Sequence, residues 1–134
     1  MPLDTRDLIE IQMMLALYGH LIDERDWSAM HQVFSEDIVY DATDFGLGVM
    51  RGIPAIVEAW RDPFDHPLAH HTTNVVIRED ADGTVRVLSK HIGPRPSGIT
   101  LVTYLDVVRK TQDGWRLAER TARLRGRIPI PDAQ

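Results

Sequence analysis

Four runs of alternating apolar and polar residues fill the second half of this chain, and they constrain its fold more than any other feature. They cover His71–Ile77, Thr84–His91, Ile99–Lys110 and Trp115–Leu124. Asp82-Gly83 joins the first pair and Asp113-Gly114 the last, and Asp-Gly between strand-like runs is a strong hairpin signal. The middle junction, residues 93–98, is rich in glycine and proline and reads as a loop. An antiparallel meander follows.

The first half obeys a different period. Leu8, Ile11, Leu15, Tyr18 and Ile22 recur at spacings of three and four, the stripe of an amphipathic helix, with Asp4 or Thr5 as its cap and Asp7 in its first turn. A short helix is expected over Trp27–Phe34 and a strand over Ile38–Ala42. Gly46 and Gly48 then turn the chain into Val49-Met50. Pro54 suits the first turn of a third helix, Ile53–Trp60, and prolines mark residues 62–67 as a loop. Helices first and a bent meander after them define an α+β fold: a cone-shaped barrel with N-terminal helices closing one side of a curved sheet. Residues 1–126 form one domain, and 127–134 are expected to be an extended tail.

Composition enters mainly by exclusion. The 134 residues suit one domain. Fifteen basic against twenty acidic residues give a net charge of −5, which disfavours nucleic acid or an anionic membrane as a partner. With no cysteine there is neither a disulfide nor a thiol nucleophile. No apolar run is long enough to span a bilayer, and the first residues lack a signal-peptide pattern, so a cytoplasmic location is expected. Neither a phosphate-binding glycine motif nor a GxSxG elbow occurs.

A few residues suggest chemistry. Asp23 closes the first helix beside Glu24 and Asp26, where acidic groups oppose the helix dipole. His91 shares strand parity with Val85, Val87 and Ser89, which turns it inward. His71 alternates with Thr73, Val75 and Ile77, again a largely apolar face, so His71 is expected to point inward and His70 outward. Clustering of His66, His70 and His71 raises a metal site. Pro67 and strand alternation would separate those rings, so no metal is expected.

Taken together, the opening helix with Tyr18 and Asp23, the RDW…VFSEDIVYD step, the GIPAIVEAW helix and the HHTTNVVI strand resemble the nuclear transport factor two-like superfamily. The match is to its SnoaL-like branch, which includes scytalone dehydratase, a bile-acid dehydratase and hexachlorocyclohexane dehydrochlorinase. The resemblance implies a catalytic pair at Asp23 and His71, a second histidine at His91, and functional positions at Tyr18 and Arg120. Ile22 and Ala42 stand where the scytalone enzyme has tyrosines, and Tyr18 stands where the dehydrochlorinase has lysine.

The expected activity is that of a cofactor-free lyase or isomerase, most simply a dehydratase, acting on a small hydrophobic ring-containing substrate. His71 would be the base, Asp23 its orienting carboxylate, His91 the acid, Tyr18 a hydrogen-bond donor and Arg120 a stabiliser of negative charge. Leu15, Trp60, Val75 and Val87 are expected to line the cavity. Non-catalytic ligand binding or subunit association on the same fold is the rival reading. Assembly into a homodimer or homotrimer is expected through an outer sheet face carrying Val76, Leu88, Val102 and Tyr104.

Overall fold

The computed structural model describes residues 2–61 and 66–131. Helix α1 (Thr5–Asp23) begins at Asp4, whose side chain accepts from the Asp7 amide while Asp7 reaches back to the Asp4 amide. This reciprocal box satisfies two of the donors that every helix start leaves open. Of the expected stripe, Ile11, Leu15, Tyr18 and Ile22 are buried, with Met14 and Leu21 beside them, while Leu8 is half-buried. Each large side chain so buried stabilises the fold by about 1.5–3 kcal/mol. Asp7 does more than cap, because its Oδ1 also accepts from Lys110 Nζ and from Trp115 Nε1, both at 3.0 Å. The helix start is thereby tied to the far end of the sheet.

After α1 a 3-10 turn covers Trp27–Gln32, shorter than the helix expected, and strand β1 (Phe34–Ala42) starts four residues earlier than Ile38. A second 3-10 turn and β2 (Gly48–Arg51) lead into α2 (Ile53–Arg61). Of the loop expected over 62–67, residues 62–65 lie outside the described residues. Strands β3 (His71–Glu79), β4 (Val85–Arg95), β5 (Gly98–Thr111) and β6 (Gly114–Pro129) complete the chain. The loop expected over 93–98 shrinks to a turn at Pro96-Ser97, and Arg127–Pro129 continue β6 opposite Gly98–Thr100.

Six strands form one mixed sheet in the order β2-β1-β6-β5-β4-β3, with β1 and β6 parallel and every other pair antiparallel. The helices pack on it, as an α+β fold requires, but β2 and β3 remain its edges. The expected barrel is therefore an open cone. Bulges on β6, between Leu101 and Val102 and between Val107 and Val108 of the paired strand, supply bending.

Strand direction departs from the sequence pattern at two places. Val102 and Tyr104, expected on the outer face, are both buried. On β5 both parities are largely apolar, and the inward one also carries Asp106, a charge that argues for the wrong side unless its partner Arg120 is known. The outer face instead holds Val76 and Leu88, as expected, with Leu105 beside them in the same cross-strand row.

The second departure is on β3. Between Thr73 and Val76 its pairing with β4 slips by one residue, and Asn74 there adopts φ of 54°. Asparagine is among the few side chains that tolerate this left-handed region. Past the bulge, Ile77 opposes inward Val87, as the alternation predicts. Before it, Thr72 opposes inward His91, so parity is reversed. His71 is exposed, and it is His70 that turns inward.

Candidate active site

Asp23 ends α1 directly beside the segment that enters β3. Its Oδ2 accepts from the His70 backbone amide at 3.1 Å and its Oδ1 from the ring Nδ1 at 2.6 Å. One carboxylate thus fixes both the position and the rotation of the imidazole. It also sets the tautomer: with Nδ1–H donating to Asp23, Nε2 is the nitrogen left for chemistry. The His70 side chain is 6% exposed and that of Asp23 22%. The acidic helix end flagged in the sequence therefore has a partner, but the partner is His70 and not His71.

Such close approach depends on Gly19, one turn before Asp23. A Cβ built there would lie 2.7 Å from the His70 carbonyl oxygen. That separation is well inside van der Waals contact, so only glycine allows this segment to press against α1.

His70 opens into a cavity of about 700 Å³, within the range that holds small organic ligands. Aromatic side chains form its interior: Tyr18 from α1, Tyr40 from β1, Trp60 from α2 and Tyr104 from β5. The Tyr18 and Tyr40 hydroxyls are 3.0 Å apart. One proton serves that bond, and the other hydroxyl proton is left to point elsewhere. Neighbouring rings meet edge to face, for example Tyr40 with Trp60 at 5.4 Å and 90°.

Three histidines stack along one wall. His66 lies 5.2 Å from His70, His70 lies 4.9 Å from His91, and His91 lies 5.4 Å from Tyr104. Neighbouring imidazole planes are tilted by 43° and 31° to one another, and among the described residues no group of three ligating side chains could hold a metal ion. Burial lowers the pKa of His70, against the pull of Asp23. Burial, then the positive charge that His70 and Arg120 would present, holds His91 at about 3. Burial with His70 beside it brings His66 to about 4. All three are neutral at pH 7. His91 is thus available as a hydrogen-bonding group, but the imidazolium expected of it as an acid is absent near neutrality.

Arg120 is placed behind the cavity and not in it. Its guanidinium grips Asp106 through two hydrogen bonds of 2.7 and 2.8 Å, both side chains being 0% exposed. The cation lies 4.4 Å from the Tyr18 ring centre and 3.7 Å from that of Tyr104. Burial alone would favour the neutral guanidine, but the Asp106 carboxylate overrides it and raises the pKa well above normal. Arg120 can therefore polarise two cavity phenols from beneath.

Of the four residues expected to line the cavity, only Trp60 does so. Leu15 and Val87 are buried in the core, and Val75 packs at its edge within the β3 bulge. Tyr40, Tyr104, His66 and His70 were not anticipated. Tyr40 shares parity with inward Ile38 on β1, a signal available in the sequence; His70 was hidden by the bulge.

An open α+β cone with an acid–histidine pair set into an aromatic cavity defines the class of protein. Residues 4–121 match the SnoaL-like domain, and the chain belongs to that family. Solved structures of similar shape include hexachlorocyclohexane dehydrochlorinase LinA-type3 from Novosphingobium barchaimii (13% identity, 94% of this chain and 91% of that one, TM-score 0.76). ActVI-ORFA from Streptomyces coelicolor is also similar (18%, 88% and 96%, 0.69). So is an NTF2-like protein with a cystatin-like fold from Novosphingobium aromaticivorans (24%, 90% and 82%, 0.70). At these identities the likeness establishes the fold. No curated protein matches the chain significantly. Among the described residues no helix is long and apolar enough to cross a membrane.

Proposed function

We propose that this protein is a cofactor-independent lyase or isomerase that removes a proton from carbon in a small, hydrophobic, ring-containing molecule. The observation that carries this reading is the Asp23–His70 pair, held at 2.6 Å with the imidazole facing an aromatic cavity. The dehydrochlorinase and ActVI-ORFA neighbours, and the family itself, are consistent with that kind of activity.

His70 Nε2 takes the proton, and Asp23 stabilises the imidazolium that forms. Charge moves onto the substrate's carbonyl oxygen, where a hydroxyl of the Tyr18, Tyr40 and Tyr104 cluster donates to it. Arg120 lies behind the Tyr18 ring, 4.4 Å from its centre. In a dehydration, His70 returns the proton to the departing hydroxyl, so that a C–H and a C–O bond break, a C=C bond forms and water leaves. In an isomerisation the proton returns to another carbon. Dehydration is the favoured outcome, with neutral His91 hydrogen-bonding the departing oxygen from 4.9 Å beside His70, ring centre to ring centre.

The test is solvent deuterium exchange, followed by NMR, on cyclic ketones, enones and β-hydroxy ketones. Exchange or product formation that disappears in His70→Ala and persists in His71→Ala supports the reading. Activity that survives in His70→Ala refutes it. Ligand binding without any exchange would make the protein a binding module.

A further inference from the structure

Arg127 lines the cavity, and among the described lining residues there is no aspartate or glutamate. Arg127 is exposed at the mouth, its guanidinium 6.0 Å from the ring centre of Phe45, another lining residue. Directly opposite Arg127 on β5 stands Thr100, only 1% exposed, whose Oγ1 is buried without a hydrogen-bond partner among the described residues. Two residues further along the same face, Val102 opposes His91 on β4, and His91 Nδ1 is likewise buried and unpartnered. Buried polar groups are normally satisfied, and two orphans on one cavity wall call for a ligand that satisfies them.

We infer that the substrate carries a carboxylate, bound by Arg127 at the mouth and by Thr100 and His91 along the adjoining wall, with its ring in the aromatic interior. The Arg127 cation together with two uncharged polar groups suits a singly charged anion. A planar carboxylate also suits the fork of a guanidinium. The inference rests on the reading of this cavity as the substrate site, but not on any chemistry performed there.

Calorimetric titration with 1-naphthoate and with its neutral counterpart 1-naphthamide tests it. Naphthoate should bind about ten- to a hundredfold more tightly, the factor that a hydrogen bond to a charged group contributes. Arg127→Met should remove that difference and leave naphthamide binding unchanged, while Thr100→Val should weaken naphthoate about three- to tenfold. Equal affinity for the two probes, binding of neither, or an Arg127→Met effect common to both overturns the inference; so does tighter binding of 1-naphthyl phosphate. His70→Ala should still bind naphthoate, which separates this result from the fate of the proton-transfer reading.

Discussion

Asp23 engages His70 at two points, the backbone amide and ring Nδ1, and so makes a helix end the orienting half of the proposed catalytic pair. Asp23→Asn should keep the fold but lose this control of tautomer, since an amide can present either a donor or an acceptor to Nδ1. We expect proton-transfer activity to fall about 10²- to 10⁴-fold, the share general acid–base catalysis typically supplies. His71→Ala should remain near the parent rate, because that side chain is exposed. Rates of deuterium incorporation in the two variants check both statements.

The protonation state of His70 sets the acid limb of the pH profile. Burial lowers its pKa below the ordinary 6.5 despite Asp23, and a base works only when neutral. The acid limb should therefore be centred below pH 6.5. A limb centred above 6.5 would contradict the geometry, and kcat/KM against pH reads it directly.

The same histidines link pH to stability. In His66 and His91 the folded pKa is depressed, to about 4 and about 3, so below pH 6.5 the unfolded chain binds more protons than the folded one. Their stabilising contribution is complete above 6.5 and drains away as pH falls towards 4 for His66 and towards 3 for His91, at up to about 1.4 kcal/mol per pH unit for each histidine. Asp7, lowered to about 2 chiefly by Lys110 and then by Trp115 and the Asp4 amide, acts in a separate window. Its contribution is present above the usual carboxylate pKa and is lost as pH falls from about 4 towards 2. Urea unfolding at pH 7, 5.5 and 4.5 should show the first slope, and His91→Gln should flatten it.

How much of this was legible in the sequence depends on whether local pattern and tertiary context agreed. The α1 stripe, both Asp-Gly turns, the inward face of β4 and the flag on Asp23 were all readable, because each is written in residues close together in the chain. His70 was misassigned because one extra residue at Asn74 reverses strand parity, and bulges leave almost no local mark beyond a residue tolerant of positive φ. Tyr104 was misread because its face of β5 includes Asp106, whose burial is intelligible only through Arg120, fourteen residues later. The resemblance implied an aspartate–histidine pair but placed it at His71, whereas the partner His70 and the histidine column needed the fold.

Asp106 and Arg120 offer a test of how that buried pair is held. Removing one partner strands a charge in the core, and Asp106→Ala should cost about 3–5 kcal/mol in urea unfolding. The double variant Asp106→Leu with Arg120→Met strands none, so it should be more stable than the single variant. Its activity should nevertheless fall, because Tyr18 and Tyr104 lose the cation 4.4 and 3.7 Å from their rings. A double variant less stable than Asp106→Ala would mean that the pair stabilises the fold beyond mutual neutralisation.

Gly19 gives the sharpest contrast between local and tertiary effects. By helix propensity alone, Gly19→Ala within α1 should stabilise the protein by about 1 kcal/mol. The structure dictates the opposite sign, since the new Cβ meets the His70 carbonyl oxygen at 2.7 Å and that contact is with backbone, which cannot rotate away. Either α1 or the segment leading into β3 must retreat, and in both cases the 2.6 Å contact between Asp23 and His70 opens. Thermal unfolding should show a lower Tm, and the His70 ring NMR signals should lose the signature of a strong Nδ1–H bond. Activity should drop even where the protein remains folded, because the base loses its orientation before the core loses its packing. A stabilised and fully active Gly19→Ala protein would mean that the approach of His70 to α1 is not what positions the base.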